Sequence, residues 1–168
     1  MNRRRLNPRR RLSEPPGVAA RREAAMRRYL VVAHKTLGGA HMLAELHRLR
    51  EHDPYCTFHL IVPEHHPNWR GWGEHEVTMA ARATLDEMLE RLAEMRIGAT
   101  GEVGDANPVY AVGVTLRREG HDAFAGIILS TLPKGVSRWW LFDVPRRMAS
   151  EYPHIPLTHL VADEVLVP

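Results

Sequence analysis

Short apolar runs alternate with longer amphipathic segments from Tyr29 onward, and this alternation predicts an α/β protein. Five short runs bounded by turn residues predict strands, and the third of them is the weaker one because it contains two glycines. They are Tyr29–Ala33, Tyr55–Val62, Ile97–Val103, Phe124–Leu129 and Ile155–Val161. The segments between them carry apolar residues at 3–4 spacing and predict helices. These are Ala40–Glu51, Glu76–Arg96, Asn107–Gly120 and Arg138–Ser150, the last interrupted at Pro145 with Asp143 as the cap of its second part.

Strands separated by helices require right-handed crossovers, which produce a parallel sheet covered on both faces. We therefore predict a three-layer, doubly wound α/β sandwich with a five-stranded parallel sheet. Ligands of such sheets bind beyond the carboxyl ends of the strands, where the strand order reverses. The loops that follow the strands, at 34–39, 63–73, 104–108 and 130–137, are the places to seek function.

The loop after the first strand has the composition of an anion-binding turn. His34, Lys35, Thr36, Gly38 and Gly39 place a cation, a hydroxyl and two glycines ahead of a predicted helix. The spacing differs from a P-loop, in which the lysine follows the glycines. The alternative is that the glycines only permit a tight turn between strand and helix.

The loop after the fourth strand is also polar and basic. Its candidate ligand-binding residues are Ser130, Thr131, Lys134, Gly135, Ser137 and Arg138. If the order of the sheet reverses between strands one and four, the two loops face each other across one crevice. The crevice then carries local positive charge. The alternative is a structural turn in which Ser137 caps the next helix.

Metal binding and catalysis are not indicated by the motifs. The chain has eleven histidines, and His65, His66 and His75 lie among glutamates, but no His-Glu-x-x-His or paired-cysteine spacing occurs. We interpret these three as surface histidines, and His41 with Glu45 as an ordinary i,i+4 pair. No Gly-x-Ser-x-Gly turn is present and Cys56 lies inside a predicted strand, so we predict no catalytic residue and no obligatory cofactor.

Charge is distributed unevenly along the chain. Residues 1–28 hold ten arginines against Glu14 and Glu23, a net +8, so the chain total of +3 leaves −5 for residues 29–168. Residues 1–27 are predicted to be a disordered basic tail, and residues 28–168 the folded domain. Nucleic acid is thus a partner only through the tail.

The single cysteine, Cys56, is compatible with a reducing cytoplasm. No apolar run is long enough for a membrane span or an export signal.

Several strings resemble the universal stress protein family over about residues 28–163. The string Gly104-Asp105-Ala106-Asn107-Pro108 is similar to its Gly-Asp-Pro turn, and the string from Ala125 to Thr131 is similar to its Asp-Leu-Ile-Val-Met-Gly-Ser strand. The resemblance implies strand order 3-2-1-4-5, a cytoplasmic homodimer formed through the last strand, and ATP or AMP in the crevice of some members. It adds Gly104 and Asp105 to the candidate ligand-binding residues.

The chain departs from this family at the nucleotide motif. Of the family's Gly-x2-Gly-x9-Gly-Ser/Thr pattern only Gly135 remains, and His34 stands where the family has Asp. We therefore predict a divergent, non-catalytic member that binds a nucleotide or small anion with Lys35, Lys134 and Arg138. The alternatives are a nucleotide hydrolase or transferase that uses Lys134 and Arg138, and a nucleic-acid-associated protein that acts through its tail.

Overall fold

The computed structural model describes residues 27–64, 74–133 and 143–162. Within these ranges strands and helices alternate along the chain. The strands are β1 (Arg28–Val32), β2 (Thr57–Pro63), β3 (Ala99–Gly104), β4 (Gly126–Thr131) and β5 (Leu157–Val161). The helices are α1 (Ala40–His52), α2 (Glu74–Glu94), α3 (Pro108–Glu119) and α4 (Val144–Glu151), with a 3-10 turn at His121–Ala123.

All four strand pairings are parallel, and the strand order is β3-β2-β1-β4-β5. The predicted fold class is confirmed. The chain builds outward from β1 through β2 to β3, then crosses to β4 and β5 on the other side of β1. The order therefore reverses between β1 and β4, and this pair of strands marks the expected ligand crevice.

Successive residues of β1 point to opposite faces of the sheet, and both faces are buried. Leu30 packs in a cluster with α3 and α4, whereas Val31 packs in a cluster with α1 and α2. Both residues have no solvent exposure. This double burial explains why the strand is a continuous apolar run rather than an alternating one.

The fourth strand extends further than the sequence predicts. Ser130 and Thr131, expected in a polar turn, are the last two residues of β4 and are 1% and 2% exposed. Their hydroxyls have protein partners, so burial costs little.

Cys56, expected inside a strand, immediately precedes β2 and is buried. Asp143 precedes α4 as predicted, but its side chain makes no capping hydrogen bond and its φ is 49°.

The start of β1 separates the folded sheet from the arginine-rich segment. The carbonyl of Arg27 accepts a 2.9 Å hydrogen bond from the Thr57 amide. Arg28 donates to Glu119 at 2.6 Å, and its guanidinium lies 5.0 Å from the centre of the Phe124 ring. Arg28 is therefore part of the fold. Residues 1–26 of the predicted tail lie outside the described residues.

A polar network on α3, β2 and β3 holds Glu102 as a carboxylate. Arg118 donates two hydrogen bonds to it, at 2.7 and 2.9 Å, and Thr115 donates a third. Burial favours the neutral acid, but hydrogen bonds from Arg118, Thr115 and His59 outweigh it and lower the pKa of Glu102 to about 2. Burial also lowers the pKa of His59. This network ties α3 to β2 and β3.

Candidate functional site

Two hydrogen bonds cross the reversal point of the sheet and join the β1–α1 loop to the end of β4. The Thr36 hydroxyl donates to the carbonyl oxygen of Ser130 over 3.1 Å, in a buried contact. The Nε2 atom of His41 lies 2.8 Å from the Ser130 Oγ atom. The structure thus brings the loop after β1 and the start of α1 together with the end of β4.

Two successive turns shape the loop between β1 and α1. The Leu37 amide donates to the His34 carbonyl at 3.1 Å, and the Gly39 amide donates to the Thr36 carbonyl at 3.0 Å. Gly38 has a φ of 81°, which disfavours residues with a Cβ atom. Lys35 lies at the exposed outer side of this loop.

The loop presents the amino end of α1 at the reversal point. Gly39 occupies the N-cap position and supplies no side-chain hydrogen bond. In contrast, the Asn107 side chain closes the amino end of α3 by accepting from the amides of Val109 and Tyr110, at 3.1 and 3.4 Å. An amino end without a side-chain cap leaves first-turn amides and the positive end of the helix dipole for an anion.

Arg91 of α2 approaches the same loop from the other side. Its Nη1 atom donates to the Gly38 carbonyl at 3.2 Å, and its side chain remains exposed. With Lys35 it adds a second cationic side chain beside the amino end of α1. The site is therefore basic locally although residues 29–168 carry a net negative charge.

Other predicted residues have structural roles elsewhere. Thr131 faces away from Ser130, and its Oγ1 atom lies 2.9 Å from His159 Nε2 on β5. Gly104 ends the edge strand β3, two strands from β1, where a Cβ atom would lie 2.8 Å from Ile61. Asp105 accepts a 2.8 Å hydrogen bond from the Asn107 amide and so shapes the turn before α3.

Part of the predicted site belongs to the loop after β4. Lys134, Gly135, Ser137 and Arg138 lie outside the described residues, as do His65 and His66. Across the described ranges no group of three or more His, Cys, Asp or Glu residues is arranged to hold a metal ion. In the same ranges no helix is both long and apolar enough to cross a membrane.

Sequence reasoning missed His41 and Arg91. The pairing of His41 with Glu45 stays a prediction, and Glu45 forms an ion pair with Arg48 at 2.6 Å. His41 contacts a residue 89 positions away, and Arg91 contacts one 53 positions away. Helical periodicity carries no information about such contacts. The only local signal was the position of His41 in the first turn of α1, directly after the loop.

The described side chains are better suited to binding a ligand than to nucleophilic attack on it. Ser130 is 1% exposed, and both its carbonyl and its hydroxyl are held by neighbours. Cys56 is also 1% exposed, and burial raises the pKa of its thiol, which favours the less nucleophilic protonated form. The site is built from hydrogen-bond donors and cations around a helix end.

Known proteins resemble this chain in structure rather than in sequence. No protein-family model and no curated protein matches the sequence. A crystal structure of a universal stress protein family member from Burkholderia pseudomallei matches with a TM-score of 0.51 at 12% identity, over 79% of this chain and 94% of that one. The chain has the universal stress protein fold. At this identity the likeness shows the arrangement of the universal stress protein sheet and helices, and it supports the predicted resemblance at the level of the fold.

Proposed function

We propose that this protein is a non-catalytic, cytoplasmic, universal-stress-protein-like homodimer that binds a nucleotide or another small phosphate-bearing anion. The ligand site is the amino end of α1 where β1 and β4 diverge. One observation carries the proposal: Gly39 leaves this helix end without a side-chain cap, at the reversal point of a doubly wound sheet.

The charges around the helix end favour phosphate over a neutral ligand. Lys35 is exposed on the loop, and Arg91 reaches the Gly38 carbonyl from α2. The chain lacks most of the glycines with which family members wrap a nucleotide phosphate chain. We therefore expect ATP or AMP to bind through few backbone contacts, with weak affinity and strong dependence on salt.

Dimerisation through β5 is supported by the open edge of that strand. Among the described strands β5 pairs only with β4, and alternate peptide groups of β5 point away from β4. Val161 is 42% exposed on this strand. An exposed edge of this kind is suited to pairing with a second copy.

The decisive experiment is calorimetric titration of the full chain with ATP, ADP, AMP and cyclic nucleotides. We expect saturable binding of at least one nucleotide, weakened in Lys35→Gln. Arg82→Gln is the matched control, because Arg82 is an exposed cation on α2 whose ion pair is with Asp86. No heat of binding at millimolar ligand, with circular dichroism showing folded protein, would refute the ligand proposal.

A hydrolase or transferase remains the second candidate because of one contact. The His41 Nε2 to Ser130 Oγ distance of 2.8 Å is within the range at which an imidazole activates a hydroxyl. Its test is the release of phosphate or pyrophosphate from bound nucleotide. Turnover that disappears in both Ser130→Ala and His41→Ala would favour the enzyme, whereas binding without turnover favours the non-catalytic protein.

A further inference from the structure

Two exposed histidines face each other at the opposite end of the sheet from the proposed nucleotide site. The ring centres of His121 and His154 are 6.0 Å apart, and the ring planes are inclined by 54°. His121 belongs to the turn after α3, and His154 lies between α4 and β5. We propose that this pair binds a divalent transition-metal ion with a preference for imidazole, such as Zn²⁺, Ni²⁺ or Cu²⁺.

The spacing of the rings fits a shared ion. A zinc–imidazole bond is about 2.0–2.1 Å long, so two imidazoles on one ion have ring centres about 5–6 Å apart, depending on the angle at the metal. The observed separation lies at the upper end of that range. A shared ion therefore requires the two exposed rings to turn until one nitrogen of each faces it.

The backbone beneath the rings is anchored. Phe124, which follows the His121–Ala123 turn, is 5% exposed, and Ile155, which follows His154, is also 5% exposed. Each histidine is thus held beside a residue of the core while its own ring faces solvent. Such an arrangement reduces the ordering cost of bringing two ligands to one ion.

The remaining coordination positions are open to small ligands. The two imidazoles are the protein ligands, and water fills the other positions around the ion. A bound ion would link the end of α3 to the segment that enters β5. Only the folded state holds the two rings close together, so metal binding would stabilise the folded state. This inference does not depend on nucleotide binding.

Zinc titration of the ¹⁵N-labelled full chain, followed by amide NMR, tests the site. We expect the amide signals of residues 119–124 and those of Tyr152, His154 and Ile155 to shift together along one saturation curve. His121→Ala and His154→Gln should each weaken zinc binding by at least about 10-fold. Loss of even an outer-shell partner of a metal ligand costs about 10–100-fold in metal affinity, and these two residues are direct ligands. His47→Ala is the control, since His47 is exposed on α1, and its zinc response should equal that of the parent.

Three results would overturn the proposal. The first is that neither segment shifts at millimolar zinc. The second is that only one of the two segments shifts, which would indicate binding to a single histidine. The third is that either His121→Ala or His154→Gln retains the affinity of the parent at this site. Because the signals are read residue by residue, zinc bound at other histidines does not obscure these outcomes.

Discussion

His41 in the first turn of α1 contacts Ser130 at the end of β4, with 2.8 Å between Nε2 and Oγ. This contact joins the two strand ends at which the sheet order reverses. It also fixes the amino end of α1 beside the buried end of β4, since Thr36 simultaneously donates to the Ser130 carbonyl. The orientation of the helix end that we propose as the anion site depends on this pair.

Ser130→Ala should lower the free energy of unfolding by about 1 kcal/mol, because His41 loses a partly buried hydrogen-bond partner. Urea unfolding followed by circular dichroism measures the loss. Ser150→Ala, an exposed position on α4, is the control and should change stability little. Equal stability of the Ser130 variant and the parent would show that the contact contributes nothing.

Gly39→Ala should displace the His41 ring. A Cβ atom at Gly39 would lie 2.6 Å from His41 Cε1, while the backbone φ of −61° is one that alanine accepts. The ring must turn and lose Ser130, at a cost of about 1 kcal/mol. A double-mutant cycle with Ser130→Ala checks this explanation: the two losses should be less than additive. Strictly additive losses of stability would show that the Gly39 substitution acts independently of the His41–Ser130 contact.

Glu102→Gln should change how stability depends on pH. The pKa of Glu102 is lowered from 4.5 to about 2 in the folded protein, so the folded state binds fewer protons than the unfolded state between these values. The carboxylate therefore contributes stability above pH 4.5 that is lost as the pH falls toward 2.

The expected difference between parent and Glu102→Gln is on the order of 2 kcal/mol at neutral pH, because part of the network is solvent-exposed. It should shrink steadily below pH 4.5. Urea unfolding at several pH values measures it, with Glu94→Gln at the end of α2 as an exposed control. A difference that is independent of pH would contradict the assignment of a charged Glu102 to the folded state.

Val161→Lys should block association through β5. Val161 is 42% exposed on the edge strand, where a charged side chain hinders pairing with another strand. Sedimentation equilibrium should show a dimer for the parent and a monomer for the variant. Met79→Lys, at a 57% exposed position on α2, should remain dimeric. A monomeric parent, or a dimeric Val161 variant, would rule out the β5 interface.

The fold was predictable because its evidence is local and periodic. The run from Phe124 to Leu129 predicts a central strand, and Asn107 predicts the start of α3, which its side chain caps. The resemblance to universal stress proteins supplied the strand order. Ser130 and Thr131 were misassigned to a turn, since hydroxyl residues are typical of loops and their buried hydrogen-bond partners are distant in sequence.

The candidate site stays a prediction, and local composition indicates only the part of it that lies on one continuous loop. Residues His34 to Gly39 were recognised by composition, and the structure places them at the reversal point. His41 and Arg91 reach that point through tertiary packing, which no local pattern encodes. Gly104 was selected by resemblance, but it serves close packing against Ile61 and Ala111.

Amide NMR mapping of nucleotide binding tests the central claim most directly. On addition of ATP or AMP to the full ¹⁵N-labelled chain, the amide signals of residues 36–42 and of Ser130 should shift in a saturable manner. The amides of residues 105–107, Val109 and Tyr110 should shift little, because Asn107 already caps the amino end of α3. Saturable shifts confined to other parts of the chain, or no shifts at millimolar nucleotide, would contradict binding at the amino end of α1.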